Sequence, residues 1–141
     1  MNAQQPNAAS EQKRILIVED DPRNATLLQA MLRITGIFDM HVCRSGADLM
    51  DTVARMAQID LILLDLQLPG EDGFQIYGRL RNQESLQAVP IVAVTAQVMV
   101  DEIARAEKAG FSGFLGKPLN YDRFPGQIRR LLAGERVWEP R

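Results

Sequence analysis

The sequence predicts an α/β fold in which five parallel strands form a doubly wound sheet flanked by five helices. Two observations lead to this prediction. Short apolar runs, which suit strands buried on both faces of a parallel sheet, recur along the chain and end at polar, Pro or Gly residues. Longer segments with helical apolar spacing separate these runs, so the strands are connected by right-handed crossovers.

Bulk composition indicates a single globular domain. The 141 residues are 46% hydrophobic and 24% charged, which is ordinary for such a domain. The formal net charge of −2 gives no electrostatic footprint for nucleic acid or an anionic membrane. No apolar run reaches the roughly 20 residues that a membrane span needs. Cys43 is the only cysteine, which excludes an internal disulfide and fits a cytoplasmic location.

The first half of the chain is expected to hold three strands and three helices after a disordered lead-in at residues 1–12, within a domain covering 13–134. Strands are assigned to apolar runs, and helices to apolar stripes of 3.6-residue period. In order, they are strand 14–18, a helix closing at Gly36, a less apolar edge strand at 40–43, a helix over 49–57, a strand ending at Asp65 and a helix beginning near Asp72.

The second half repeats this alternation. Strand 89–94 ends at Thr95, helix 98–109 closes at Gly110, strand 111–115 ends at Gly116, and a last helix carries Ile128, Leu131 and Leu132 before Gly134. Because Pro125 lacks a backbone donor and Gly126 disfavours helix, we expect this helix to start late, with Pro125 in its first turn, or to be kinked. Residues 135–141 are expected to be a short tail with no output domain, in which Trp138 anchors a partner, docks on its own domain or is exposed.

Polar residues follow four of the predicted strands: Glu19-Asp20-Asp21, Asp65, Thr95 and Lys117. The carboxyl ends of parallel strands share one edge of the sheet, which is where α/β proteins bind ligands. Several carboxylates in a partly buried cleft need a cation, and Mg²⁺ favours such oxygen ligands. A carboxylate with a metal, a lysine and a hydroxyl beside it is equipped to become an aspartyl phosphate. Four converging strand ends favour this site over unrelated solvated turn residues.

The chain from Arg14 to about Ala133 resembles the receiver domain of two-component response regulators, a family similar to the chemotaxis regulator CheY. Four ordered motifs carry the resemblance: Ile-Leu-Ile-Val-Glu19-Asp20-Asp21, Asp65-Leu-Gln-Leu-Pro69-Gly70-Glu-Asp-Gly73, Val-Thr95-Ala96 and Lys117-Pro118. The resemblance implies a flavodoxin-like fold with strand order 2-1-3-4-5. Because only seven residues follow Gly134, we expect the stand-alone type of receiver.

By this resemblance Asp65 is the phosphoacceptor, and Lys117 pairs with Asp65 or with the phosphoryl oxygens. The resemblance also implies that Mg²⁺ is held by Glu19, Asp20, Asp65 and the backbone carbonyl of Gln67. Glu19 replaces the commoner aspartate of the family. Asp21 falls one position beyond the acidic pair and is expected to be peripheral.

The resemblance assigns a second set of residues to signalling. Thr95 and Phe114 are implied to be the switch pair that reports phosphorylation to the surface. Ala96 is small, as the family requires beside the phosphoryl group. Lys117-Pro118 resembles the family's cis peptide, a geometry almost confined to proline.

The implied function is signalling: phosphoryl transfer from a histidine kinase or phosphotransfer protein, followed by phosphorylation-dependent contacts. The expected partner face combines the helix after Thr95, the strand of Phe114 and the helix after Pro118, in a monomer or a weak dimer. A relay intermediate and a fragment of a hybrid kinase are alternatives. A phosphatase of the haloacid dehalogenase type needs an acid where Gln67 stands, and a flavodoxin needs a phosphate cradle where the sequence has Glu19-Asp20-Asp21.

Overall fold

The computed structural model describes residues 12–96 and 98–140 of the chain. The strands are β1 (Arg14–Val18), β2 (Asp39–Cys43), β3 (Leu61–Leu64), β4 (Gln67–Leu68), β5 (Glu71–Asp72), β6 (Ile91–Thr95), β7 (Gly113–Gly116) and β8 (Val137–Glu139). The helices are α1 (Pro22–Ile34), α2 (Gly46–Arg55), α3 (Gly73–Arg81), α4 (Val100–Ala109) and α5 (Phe124–Leu132), with a 3₁₀ turn at Glu84–Leu86. No helix within these ranges is long and apolar enough to cross a membrane.

The main sheet is parallel throughout and has the strand order β2-β1-β3-β6-β7-β8. This confirms the predicted doubly wound α/β fold, because the first five strands lie in the predicted order. The short strands β4 and β5 form a separate antiparallel hairpin after β3, which the sequence reasoning missed.

The strands are apolar along their whole length because helices cover both faces of the sheet. On one face Ile15 and Ile17 of β1 pack in a cluster with residues of α1 and α5. On the other face Leu16 and Val18 pack in a second cluster, with residues of α2, α3 and α4. These four residues are at most 1% exposed, so the strand from Ile15 onward has no polar face to reveal its orientation in the sequence.

Strands β6 and β7 begin later than predicted, for two different local reasons. The run that starts at Val89 contains Pro90, which has no N–H to give to a strand ladder; its carbonyl instead accepts from Ile62. Phe111 belongs to the end of α4, because its N–H donates to the carbonyl of Ala106 (3.2 Å) after the left-handed Gly110.

The predicted tail at residues 135–141 requires correction, since Val137–Glu139 forms the sixth parallel strand beside β7. Val137 is fully buried in the core cluster that contains Phe124, Ile128 and Leu131. Trp138 therefore docks on its own domain, which was one of the three possibilities left open. The predicted lead-in at residues 1–12 lies, apart from Gln12, outside the described residues.

Helix α5 starts late, as predicted from Pro125. It begins at Phe124 and carries Pro125 in its first turn, where a missing N–H has no cost. The preceding turn is held by the side-chain carbonyl of Asn120, which accepts from the N–H groups of Asp122 (2.9 Å) and Arg123 (3.0 Å). Asn120 therefore provides a hydrogen-bond acceptor for the N–H groups that precede this helix.

Substituting Asn120→Ala is expected to lower the free energy of unfolding by about 1 kcal/mol, because two N–H groups lose their acceptor. Urea denaturation followed by circular dichroism measures this loss. Asn120→Asp keeps an acceptor oxygen and is the matched control. If the alanine and aspartate variants unfold at the same urea concentration, the side chain of Asn120 does not stabilise this turn.

Candidate functional site

The carboxyl ends of four parallel strands meet at one edge of the sheet, as the sequence predicts. Strand β3 lies between β1 and β6, and β7 lies beside β6. This order places Glu19 and Asp20 after β1, Asp65 after β3, Thr95 at the end of β6 and Lys117 after β7. Their arrangement follows from the parallel pairing, because every strand presents its carboxyl end to the same edge.

Lys117 connects two of the carboxylates. Its Nζ donates to Glu19 Oε1 at 2.6 Å and to Asp65 Oδ2 at 3.1 Å. The side chains are 17%, 2% and 9% exposed for Lys117, Glu19 and Asp65, so solvent screens these charges only weakly. Burial by itself lowers the pKa of Lys117, but the hydrogen bond to Glu19 and the charge of Asp65 outweigh it and raise the pKa above its ordinary value. The two carboxylates thus favour the charged form of Lys117.

Asp65 is held by backbone as well as by Lys117. Its own N–H donates to the carbonyl of Val18 (3.1 Å), which continues the β1–β3 ladder by one residue. Its Oδ1 accepts from the N–H of Gln67 at 2.9 Å, while Oδ2 accepts from Lys117. The two oxygens therefore have different environments, and the carboxylate is fixed in orientation at the sheet edge.

Carboxylate oxygens of Glu19, Asp20 and Asp65 lie within 4.8 Å of one another. Three hard oxygen donors at this spacing fit a magnesium ion, which takes carboxylates together with waters. Asp21 has a different role: its carboxylate accepts from the N–H of Arg23 (2.9 Å) and caps the N-terminus of α1. The side-chain hydrogen bond from Arg23 lowers the pKa of Asp21 below its ordinary value.

The residues implied to form the switch lie next to this cluster. Thr95 is fully buried and pairs with Gly116, whose neighbour Lys117 donates its N–H to the Thr95 carbonyl at 2.9 Å. Phe114 is also fully buried. Ala96 is exposed at the end of β6, and the peptide bond between Lys117 and Pro118 is cis.

The sequence reasoning missed a contact that ties the segment after Asp65 to α2. The β4–β5 hairpin follows this residue, and the carboxylate of Glu71 in β5 accepts from the N–H of Gly46 at 2.9 and 3.1 Å. This contact ties the hairpin to the first residue of α2, where a negative charge is favourable. Pro69-Gly70 was the available signal for the hairpin, because Gly70 has φ +69° at its turn.

Two other residues with reactive side chains lie on β2, whose last residue Cys43 accepts the N–H of Glu19 on its backbone carbonyl at 2.9 Å. Cys43 is 1% exposed, and burial raises the pKa of its thiol. It is therefore a small core residue that contacts Thr52 (3.6 Å) rather than a nucleophile. His41 is exposed on the edge strand β2, two residues before the site-facing end of that strand.

Comparison with known proteins shows the family to which the chain belongs. Residues 15–129 match the response regulator receiver domain family. The chain is similar to the polar-differentiation response regulator DivK of Brucella ovis, with 33% identity over 121 residues that cover 86% of this chain and 97% of that protein.

Solved structures show the same similarity. The receiver domain of a sensor histidine kinase from Pseudomonas aeruginosa, which has a magnesium ion coordinated in its active-site cleft, is 31% identical with a TM-score of 0.77. The alignment covers 86% of this chain and 98% of that one. A two-component response regulator from Clostridium difficile is 26% identical with a TM-score of 0.77, over 86% and 97% of the two chains.

Proposed function

Because the chain belongs to the response regulator receiver domain family, we propose that Asp65 accepts a phosphoryl group and that the domain then signals through protein contacts. The donor is a phosphohistidine on a histidine kinase or a phosphotransfer protein, and the proposed location is the cytoplasm. The observation that carries the proposal is the position of Lys117. Its Nζ donates hydrogen bonds to Asp65 and Glu19, two of the three clustered carboxylates. Neither nucleic acid nor a membrane is proposed as a partner.

In the proposed reaction a carboxylate oxygen of Asp65 attacks the phosphorus of the phosphohistidine. An O–P bond forms as the P–N bond breaks, and the departing imidazole nitrogen takes up a proton. Lys117 stabilises the negative charge on the phosphoryl oxygens as a compact point charge. Thr95 donates its hydroxyl to a phosphoryl oxygen, and Ala96 leaves room beside it.

Magnesium is the proposed cofactor, and Glu19, Asp20, Asp65 and the backbone carbonyl of Gln67 are the residues that would hold it. When bound, the ion neutralises charge on the transferred phosphoryl group. The fit rests on the three carboxylates within 4.8 Å of one another. Asp21 is left out of this set, because Arg23 occupies its carboxylate.

This metal assignment predicts different effects for two adjacent substitutions. Asp20→Asn removes one ligand charge and is expected to weaken Mg²⁺ affinity about tenfold or more. Asp21→Asn should leave the affinity unchanged, because asparagine is an equally good cap for α1. Calorimetric titration with Mg²⁺ measures both affinities, and the Mg²⁺ needed for beryllofluoride to bind should rise in parallel for the Asp20 variant. An equal loss in both variants would show that only the net negative charge matters.

A further inference from the structure

The strand β8 changes the face that the sequence analysis assigns to partners. It pairs in parallel with β7, with Gly113 opposite Val137, Phe114 opposite Trp138 and Leu115 opposite Glu139. The edge of β7 is therefore covered by the chain's own residues. A partner that approaches this side of the molecule meets β8 first.

Two glycines of β7 allow β8 to approach it closely. A Cβ atom at Gly113 would overlap the carbonyl oxygen of Val137, and one at Gly116 would overlap the carbonyl oxygen of Pro140. Glycine is thus required at both ends of β7 for β8 to approach so closely. Such a fit at two positions marks β8 as an integral strand.

Two further anchors hold β8 against α5. Val137 is fully buried in the core cluster of that face. The carboxylate of Glu139 accepts from Gln127 Nε2 at 2.7 Å, and guanidinium groups of Arg123 and Arg130 lie at 3.4 and 3.3 Å from it. The strand is therefore fixed on both sides of Trp138.

Trp138 lies against the implied switch residue. Its ring centroid is 5.9 Å from that of Phe114, and Trp138 is partly exposed whereas Phe114 is fully buried. Side chains alternate along a strand, and Thr95 pairs with Gly116, two residues beyond Phe114. Thr95, Phe114 and Trp138 consequently lie on the same face of the sheet, in a row from the site to the surface.

From this row we propose that Trp138 is a positioning residue of the switch: it takes up the movement of Phe114 and carries the state of Asp65 to the outer surface of β8. The inference rests on the proposed function of Asp65 and deepens it. When Thr95 is drawn toward a phosphoryl group, Phe114 moves into the vacated space, and the indole follows because it closes the outer side of Phe114. The change at Asp65 then reaches the outer side of β8 rather than the edge of β7, which β8 covers.

Trp138 is the only tryptophan of the chain, so intrinsic fluorescence reports on this position directly. Beryllofluoride with Mg²⁺ is the probe for the phosphorylated state, and fluorine NMR measures its binding in the same samples. We expect the bound state to show a blue-shifted emission maximum and weaker quenching by acrylamide, since the indole moves inward. Phe114→Leu should retain the fluorine signal and lose the shift, because the ring between Thr95 and Trp138 is gone.

Each other outcome has a definite meaning. A fluorine signal at Asp65 without any change in fluorescence would overturn this inference and leave the proposed function intact. Failure of beryllofluoride to bind would overturn the proposed function and the inference with it. An undiminished shift in Phe114→Leu, or a shift in Asp65→Asn, would likewise remove the role of Trp138. Because the readout is the difference between two states, a purely structural contribution of Trp138 does not produce it.

Discussion

Replacing Asp65 with asparagine is expected to abolish covalent phosphorylation by acetyl phosphate. The neutral amide is a far poorer nucleophile than the carboxylate, and it cannot form the acyl phosphate. Its oxygen can still accept the hydrogen bond that Asp65 Oδ1 receives from the N–H of Gln67, so the local backbone keeps its support. The loss should therefore be chemical rather than structural.

Intact-mass spectrometry after incubation with acetyl phosphate and Mg²⁺ measures this effect. The wild-type protein should gain one phosphoryl group, and the gain should disappear in EDTA. Asp51→Asn, on the exposed side of α2, is the control for loss of an aspartate elsewhere and should be phosphorylated like the wild type. Labelling of Asp65→Asn at the wild-type level would place the phosphoacceptor at another residue.

Removing Lys117 is expected to have the largest effect on stability. Lys117→Met leaves Glu19, which is 2% exposed, facing Asp65 without the cation that contacts both. Breaking a buried ion pair from one side costs about 3 kcal/mol, toward the lower end of the usual range because Lys117 retains some exposure. The variant should also lose most phosphorylation-dependent change, since the phosphoryl group lacks this charge.

Mg²⁺ should partly restore the stability of this variant. The ion binds to the same carboxylates, and at 100 times its dissociation constant a ligand adds about 2.7 kcal/mol to the free energy of unfolding. Without Lys117 to compete for Glu19 and Asp65, the gain from Mg²⁺ should be larger than in the wild type. Urea denaturation with and without Mg²⁺ measures both gains.

The matched control is Lys108→Met, which removes one positive charge from the exposed side of α4. It should change neither the stability nor the gain from Mg²⁺. Equal gains from Mg²⁺ in Lys117→Met and in the wild type would mean that Lys117 and the metal do not share these carboxylates.

The sequence by itself determined the fold and the composition of the site. The apolar run Leu61–Leu64 between polar and Pro/Gly signals favours a strand covered on both faces, and Asp65 follows it directly. The alternation of such runs with helical segments dictates parallel strands, and parallel strands bring their carboxyl ends to one edge. Late initiation of α5 was also predictable, because the effect of Pro125 on a helix is local.

Only the tertiary structure decided which of these side chains touch. Lys117 contacts Glu19 and Asp65 across 98 and 52 positions of sequence, and no local pattern specifies that one amine serves both. The separation of Asp21 from the acidic cluster is a similar case. Its neighbour Asp20 has the same chemistry, and the difference arises because α1 begins at Pro22 and uses Asp21 as its cap.

Strand β8 shows the same limit most clearly. Three residues are too few for a periodic signal, so Val137–Glu139 has the same local appearance as a tail. The segment becomes a strand because β7 offers glycines where β8 approaches, and because α5 offers a pocket for Val137 and partners for Glu139. These features lie on other elements of the chain and come together only in the folded structure, which is why tertiary packing alone places Trp138 beside Phe114.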